Sequence, residues 1–168
     1  MSYSTTSNNS NKTPLALNPF FVTGLTDAEG CFVCIIKKSP GYRLGWRVEV
    51  VFQIALHKKD LELLNFLKAY FGGAGTIAKS SEMCAFRVTS LEQITNIILP
   101  HFDEYSLITQ KRCGGAKDYI LWRKIVLIML QKGHLTEDGL QTILNMRASL
   151  NLGLSETLKA TLGPLLSP

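Results

Sequence analysis

The stretch that decides the fold is Asn18-Pro-Phe-Phe-Val-Thr-Gly-Leu-Thr-Asp-Ala-Glu-Gly-Cys-Phe32. Its opening Asn-Pro pair is typical of a helix N-terminus and Gly30 of a C-terminal exit, so the apolar run between them predicts a helix of about three turns. Asp27 and Glu29 then lie in the last turn, where the helix dipole disfavours carboxylates by roughly 0.3–1 kcal/mol each. A local rule broken in this way indicates function.

Two small residues and two acids divide this helix into faces. Gly24 and Ala28 are four residues apart and share one face, where another helix backbone can approach closely. Asp27 and Glu29 are two residues apart, which places them roughly 200° apart around the helix. Only one of them can therefore be the working acid at a given metal.

The nine residues Val22-Thr-Gly-Leu-Thr-Asp-Ala-Glu-Gly30 resemble the signature of the LAGLIDADG homing endonucleases, which in that family supplies an interdomain helix pair and the catalytic acids. Thr23 and Thr26 replace the more usual small or aliphatic residues, and Glu29 replaces the commoner Asp. The resemblance covers about residues 18–155 and is closest to the first halves of two-motif fungal mitochondrial intron enzymes. It includes three further stretches, Val51-Phe-Gln-Ile-Ala-Leu-His-Lys-Lys-Asp60, Leu107-Ile-Thr-Gln-Lys111, and His134-Leu-Thr with Leu150-Asn-Leu-Gly153.

Composition indicates one globular domain over residues 14–168, preceded by a Ser/Asn-rich arm over residues 1–13 that we expect to be disordered. No apolar run reaches the ~18 residues of a membrane span, and no clear presequence is present, so a mitochondrial location follows from the resemblance alone. The four cysteines are expected to be reduced thiols, since Cys31 and Cys34 should point to opposite faces of a strand.

The net charge of +5 is concentrated in one part of the chain. Residues 31–59 contain six basic side chains against the single acid Glu49, which favours a polyanionic partner over a merely solvated face. The six are Lys37, Lys38, Arg43, Arg47, Lys58 and Lys59.

The remaining patterns predict two hairpins and several helices. The second strand alternates apolar and polar residues, as expected for a sheet with one buried and one wet face. Predicted strands cover residues 31–38, 45–56, 74–79 and 83–89. Predicted helices cover residues 61–71, 90–101, 116–132 and 136–150, with a further short helix from Ser155 and a connector over 106–112. Asp60 and Thr136 are the predicted caps of the first and fourth of these helices, and Ser90 and Gln93 form a predicted capping box at the start of the second.

This αββαββα order predicts an α+β fold, with a four-stranded antiparallel, saddle-shaped sheet and helices packed on one face. It is also the order of the homing-endonuclease fold that the resemblance implies. The open face of a twisted sheet forms a polar trough, and a two-stranded ribbon fits a major groove about 12 Å wide. Double-stranded DNA is therefore the expected partner.

The resemblance implies a site-specific, divalent-metal-dependent double-strand DNA endonuclease, a phosphodiester hydrolase of intron homing. By position, Glu29 is the catalytic acid and Mg²⁺ ligand, the Ala28 carbonyl is a second ligand, and Mn²⁺ or Ca²⁺ could occupy the same site. Lys111 resembles a basic catalytic residue near the scissile phosphate, although a solvated lysine fits equally well. Asp27 is either a structural acid at the helix end or part of the helix seam.

DNA contacts are predicted for polar residues on the open face of the sheet. Arg and Lys suit guanine, Gln suits adenine, and Glu accepts from cytosine. Lys58, Lys59, Lys79 and Arg112 are expected to meet phosphates. The predicted DNA-binding residues are Lys37, Arg47, Glu49, Gln53, Arg87 and Thr89, with Thr76, Ala78 and Ser80 extending the same face.

A double-strand cut needs two acids, and the chain carries one signature helix. We therefore expect a homodimer through Gly24, Asp27 and Ala28, which implies a palindromic or near-palindromic target, or else half of a longer protein. Two other functions remain open at this point. One is an intron RNA maturase with the same fold, and the other is a DNA-binding regulator that lacks catalysis.

Overall fold

A computed structural model describes residues 16–150 of the chain. The predicted arm over residues 1–13, the predicted helix from Ser155 and both ends of the predicted domain 14–168 lie outside the described residues. In order, the elements are α1 (Pro19–Glu29), β1 (Gly30–Lys38), β2 (Trp46–His57), α2 (Leu61–Tyr70), β3 (Thr76–Lys79), β4 (Met83–Val88), α3 (Leu91–Gln93), α4 (Leu99–Glu104), α5 (Ala116–Leu130) and α6 (Glu137–Ala148).

The four strands form one antiparallel sheet in the order β1-β2-β4-β3. The predicted αββαββα fold with a four-stranded sheet is therefore confirmed. Alternation along β2 places Val48, Val50, Phe52 and Ile54 inward, and all four are buried as predicted. Val51, which faces outward opposite Val33, is also buried, so the open face is less polar than the sequence alternation suggested.

The core lies between the inner face of the sheet and the helices. Phe32 of β1 is fully buried, with its ring centroid 5.1 Å from that of Trp122 on α5 and 5.4 Å from that of Phe52. The Trp122 indole also donates to the Val33 carbonyl at 3.1 Å, and the Arg147 guanidinium of α6 donates to the Cys34 carbonyl at 2.6 Å. These contacts attach β1, the strand that follows the signature helix, to α5 and α6.

Gly30 lies at the tight junction between α1 and β1, but the reason for a glycine there differs from the predicted helix exit. Asn18 caps the helix as expected, since its side chain accepts from the Phe20 amide at 2.9 Å. Gly30, however, has a φ of −74°, which any residue can adopt. A Cβ there would lie 2.6 Å from the Thr26 carbonyl oxygen, so glycine is required by space rather than by backbone conformation.

Three predicted helix ends were wrong in detail. Asp60 makes no side-chain cap, because a 3₁₀ turn, Lys58–Asp60, precedes α2. Ser90 caps α3, but the Gln93 side chain accepts from the Gly75 amide at 3.0 Å instead of completing the capping box. The helix also continues beyond residue 101 to the end of α4, through a π-helical stretch, Ile94–Ile98, that lies directly before Leu99 and Pro100.

No helix within residues 16–150 is both long and apolar enough to cross a membrane. All four cysteines are free. Cys34 is buried on the inner face and Cys31 is half-buried on the outer one, as the strand alternation predicted.

Candidate active site

The two acids at the end of α1 occupy opposite environments. The Asp27 carboxylate is buried and accepts three hydrogen bonds, from the Ile108 amide at 3.1 Å, the Thr109 amide at 3.2 Å and the Thr109 hydroxyl at 2.8 Å. Glu29 is exposed, and its carboxylate makes no hydrogen bond or ion pair within residues 16–150. The structure therefore places Asp27 as a structural acid of its own chain and leaves the Glu29 carboxylate open to a ligand.

Lys111 lies next to the Glu29 end of the helix. Its ammonium group donates to the Ala28 carbonyl, which places the predicted basic residue beside one predicted metal ligand and one residue away from the other, Glu29. Both Lys111 and Ala28 are exposed. Because the Ala28 carbonyl already accepts from an ammonium, a cation that used this oxygen would compete with Lys111 for it.

The outward side chains of the sheet form rows across the strands. The register aligns Cys31, Gln53, Arg87 and Thr76 across all four strands, and this row begins two residues after Glu29. Ala55, Ala85 and Ala78 form the next row. The open face therefore combines polar groups near Glu29 with small apolar side chains further along β3 and β4.

A charged cluster lies toward the other end of the first hairpin. The Glu49 carboxylate contacts the Arg47 guanidinium at 2.7 Å and the Lys37 ammonium at 3.8 Å. All three are predicted DNA-binding residues, and the structure brings them together at the register positions Lys37 opposite Arg47 and Ile35 opposite Glu49. Exposed pairs of this kind contribute only about 0–1 kcal/mol to stability, so their side chains can exchange partners at low cost.

The other predicted DNA-binding residues lie at three kinds of position. Arg87 is half-buried, and its Nε is fully covered without a hydrogen-bond partner in the described part of the chain. Thr89 follows β4 and is exposed, while Ser80 lies in the second hairpin turn, where its hydroxyl and the Met83 backbone are 3.2 Å apart. Among the predicted phosphate contacts, Lys58 is paired with Glu82 at 2.8 Å.

One face of α1 is largely uncovered within residues 16–150, although the Phe20 ring packs edge-on against that of Tyr105, with the ring centroids 5.2 Å apart. Phe20 and Phe21 are 69% and 47% exposed, and Gly24 and Ala28 are exposed on the same side of the helix. A Cβ built on Gly24 meets no atom within 4 Å. The predicted seam is therefore open in this chain, whereas Asp27, assigned to the same seam, points into its own subunit.

His101 is a buried histidine whose pKa is strongly lowered. It is buried below α1, where its Nε2 lies 3.3 Å from the Thr23 hydroxyl and its Nδ1 lies 3.1 Å from the Tyr70 hydroxyl. Burial lowers the pKa of His101 to about 4. The His101 imidazole is thus neutral near pH 7 and joins α1 to Tyr70 through its two ring nitrogens.

Sequence reasoning missed a second buried carboxylate. Asp118, in the first turn of α5, is 5% exposed and accepts from the Cys113 amide at 2.6 Å. An acid in the first turn of a helix, here after the Gly114-Gly115 pair, is a recognisable sign of a helix N-terminus. Its partner, Cys113, comes from the connector between α4 and α5, residues 105–115, whose path the sequence does not specify. Thr109, which contacts Asp27, was missed for the same reason.

The chain was compared with known proteins and solved structures. A family model described as LAGLIDADG endonuclease matches residues 22–126. A probable intron-encoded endonuclease 2 of Neurospora crassa is 47% identical over 145 residues, which are 85% of this chain and 31% of that protein. The chain therefore belongs to the LAGLIDADG homing endonuclease family.

Two solved structures match about nine-tenths of this chain. The I-SmaMI LAGLIDADG homing endonuclease bound to cleaved DNA matches with a TM-score of 0.84 and 45% identity, over 90% of this chain and 50% of that one. The LAGLIDADG meganuclease I-CpaMI bound to uncleaved DNA matches with a TM-score of 0.81 and 38% identity, over 89% and 49%. The chain spans about a third of the Neurospora relative and about half of each solved neighbour.

Proposed function

We propose that this chain is a DNA-cleaving half-unit, which makes a site-specific, divalent-metal-dependent double-strand cut when two copies pair through α1. The observation that carries the proposal is the contrast at the end of α1, where Glu29 is exposed without a partner in the described chain while Asp27 is fully engaged. The DNA-bound states of I-SmaMI and I-CpaMI support duplex DNA as the substrate.

The donors near Glu29 fit a hard divalent cation. Mg²⁺ is commonly held by one or two carboxylates together with waters and substrate phosphates. The Glu29 carboxylate and the Ala28 carbonyl fit the part of such a ligand set that the protein supplies. Within residues 16–150 no group of three His, Cys, Asp or Glu side chains could hold a metal. We propose that DNA phosphate and water would supply the remaining ligands. I-SmaMI has been solved on an uncleaved DNA target in the presence of calcium ions.

When bound, the cation supplies charge neutralisation and an activated water. The protein's own groups have separate tasks. The open sheet face holds the duplex, with Gln53, Arg87 and Thr76 nearest Glu29 and the Lys37, Arg47 and Glu49 cluster further out. Glu29 would hold the cation, and the Lys111 ammonium would stabilise negative charge on the scissile phosphate.

Pairing through α1 is supported by its open face. Phe20, Phe21, Gly24 and Ala28 are exposed, and the missing side chain at Gly24 allows a second helix backbone to approach. We propose a second copy as the partner, which gives a C₂ assembly and a near-palindromic target. A second half within a longer protein would use the same face and produce an asymmetric target.

A mitochondrial location is proposed from the fungal intron-encoded relative.

Cleavage selection on a randomised duplex library tests this function. With Mg²⁺ we expect double-strand cutting and enrichment of a near-palindromic sequence, with Ca²⁺ binding alone, and with EDTA neither cutting nor enrichment. Sedimentation of the protein with the selected duplex should give two copies per site. Absence of cutting on every duplex would contradict the nuclease proposal, whereas cutting of an asymmetric site, or a monomer in sedimentation, would contradict only the homodimer.

A further inference from the structure

We infer that Asp118 is a positioning residue for Lys111, which it places by holding the connector, residues 105–115, against the end of α1. The inference rests on the proposed catalytic role of Glu29 and Lys111. It concerns a residue that lies outside the signature stretch and does not itself face the open site. The connector contains no helix or strand, so the position of Lys111 depends on individual contacts.

Asp118 holds the C-terminal part of the connector through Cys113. The carboxylate is buried and its Oδ2 accepts from the Cys113 amide at 2.6 Å. Cys113 has a φ of +76°, a left-handed conformation that side-chain-bearing residues adopt at a cost. Such a residue persists where its surroundings fix it, and the Asp118 carboxylate is one of the groups that does so.

The other side of Cys113 is attached to the strand that follows Glu29. The Cys113 carbonyl accepts from the Phe32 amide at 2.5 Å. A Cβ on Gly114 would lie 2.4 Å from the Gly30 carbonyl oxygen, so the connector backbone packs directly on the junction between α1 and β1. A change in the Cys113 amide contact would therefore move the connector relative to Glu29.

Lys111 lies between this attachment and a second one. Upstream, the Asp27 carboxylate accepts from the amides of Ile108 and Thr109. Downstream, the Gly115 amide donates to the Lys111 carbonyl at 3.1 Å, inside the turn that Asp118 holds. Lys111 thus has a fixed backbone on both sides and can direct its ammonium to the Ala28 carbonyl. Asp118 offers the cleaner test, because Asp27 also belongs to α1 itself.

The test compares Asp118→Ala, which removes the acceptor, with Asp118→Asn, which keeps an oxygen for the Cys113 amide. We expect Asp118→Ala to lower the single-turnover cleavage rate by about 10- to 100-fold while the Kd for DNA in Ca²⁺ changes less than about threefold. Asp118→Asn should restore most of the rate. Asp103→Ala is the matched control, because Asp103 also packs on α5, through Arg123 at 2.8 Å and Tyr119 at 2.7 Å, but does not contact the connector turn.

A double-mutant cycle separates positioning from general loss of structure. If Asp118 acts through Lys111, Asp118→Ala should cost little further rate in a Lys111→Ala background. Equal losses in both backgrounds, or a wild-type rate for Asp118→Ala, would overturn the inference. The same loss in Asp103→Ala would also overturn it.

A readout that does not depend on cleavage keeps the two proposals apart. Lysines are ¹³C-methylated, and the Lys111 NMR signal is assigned by its absence in Lys111→Ala. We expect Asp118→Ala to shift or broaden that signal and Asp103→Ala to leave it unchanged. If wild-type protein cuts no duplex but the Lys111 signal responds to Asp118, the proposed function fails and the positioning inference stands. An unchanged signal in Asp118→Ala overturns the inference whether or not the wild-type protein cuts.

Discussion

The two faces of α1 differ in almost every physical respect although they alternate within one eleven-residue helix. The buried face carries Val22, Thr23, Thr26 and Asp27, all within a dense network of contacts to the sheet, His101 and the connector. The open face carries Phe20, Phe21, Gly24, Ala28 and Glu29, and it is largely exposed, with Phe20 packed against Tyr105 and the Ala28 carbonyl bound to Lys111. The comparison teaches that residue type alone does not assign a role, because the two acids differ in environment rather than in chemistry.

The largest effect should come from the open face, with Glu29→Gln. This change removes the charged ligand but keeps the size of the side chain, and we expect the cleavage rate to fall at least about 10³-fold, roughly 4 kcal/mol in activation free energy. DNA binding in Ca²⁺ and the melting temperature should stay close to wild type. Glu62→Gln, on the exposed side of α2, is the control, and equal cleavage by wild type and Glu29→Gln would remove Glu29 from the site.

The matching change on the buried face, Asp27→Ala, should act on stability. It leaves the Ile108 and Thr109 amides and the Thr109 hydroxyl without an acceptor, and we expect a loss of about 3 kcal/mol in the free energy of unfolding. Urea denaturation measures this loss. A stability within about 0.5 kcal/mol of wild type would show that the two acids do not differ as described.

The pH dependence of stability probes the same buried face through His101. Because burial lowers its pKa from 6.5 to about 4, the unfolded chain binds the proton more readily, so this contribution to stability is complete above pH 6.5 and is lost as the pH falls toward 4. Between pH 7 and pH 5 we expect a loss of about 2 kcal/mol. His101→Gln should remove this contribution and leave that of His134, whose pKa is also lowered by burial, whereas replacing the more exposed His57 should leave the His101 contribution intact.

The smallest effect on the single chain, and one of opposite sign, is expected for Gly24→Ala. The added methyl meets no atom of its own chain, so the helix should gain about 0.5–1 kcal/mol in monomeric protein. The same methyl should weaken self-association in sedimentation, because it separates two closely crossing helices. Gly41→Ala, which also meets open space, is the control and should not alter association. Stronger association of Gly24→Ala would argue against the proposed seam.

Local patterns predicted the fold well, because strand alternation and helix caps depend on neighbouring residues. The inward set of β2, the Asn18 cap and the exposed Gly24 followed directly from spacing. The predictions were weaker where a partner came from a distant part of the chain. The Gln93 side chain accepts a hydrogen bond from the Gly75 amide, and the Asp118 carboxylate accepts one from the Cys113 amide. No local pattern specifies either contact.

The site shows the same division. Glu29 and Lys111 were proposed by resemblance, and the structure places both beside Ala28. The burial of Asp27 by the connector required the packing of α4 and α5, which is a property of the whole fold. The roles of the open-face residues on DNA stay predictions, since groove contacts also depend on docking and on DNA deformation.

The most direct test of the central claim is the anomalous diffraction of Mn²⁺ in crystals of the protein bound to its selected duplex. The account predicts a Mn²⁺ peak within about 2.5 Å of the Glu29 carboxylate, next to a DNA phosphate, with the Asp27 carboxylate still bound to Ile108 and Thr109. A Mn²⁺ peak on Asp27, or a Glu29 carboxylate remote from both cation and DNA, would contradict it.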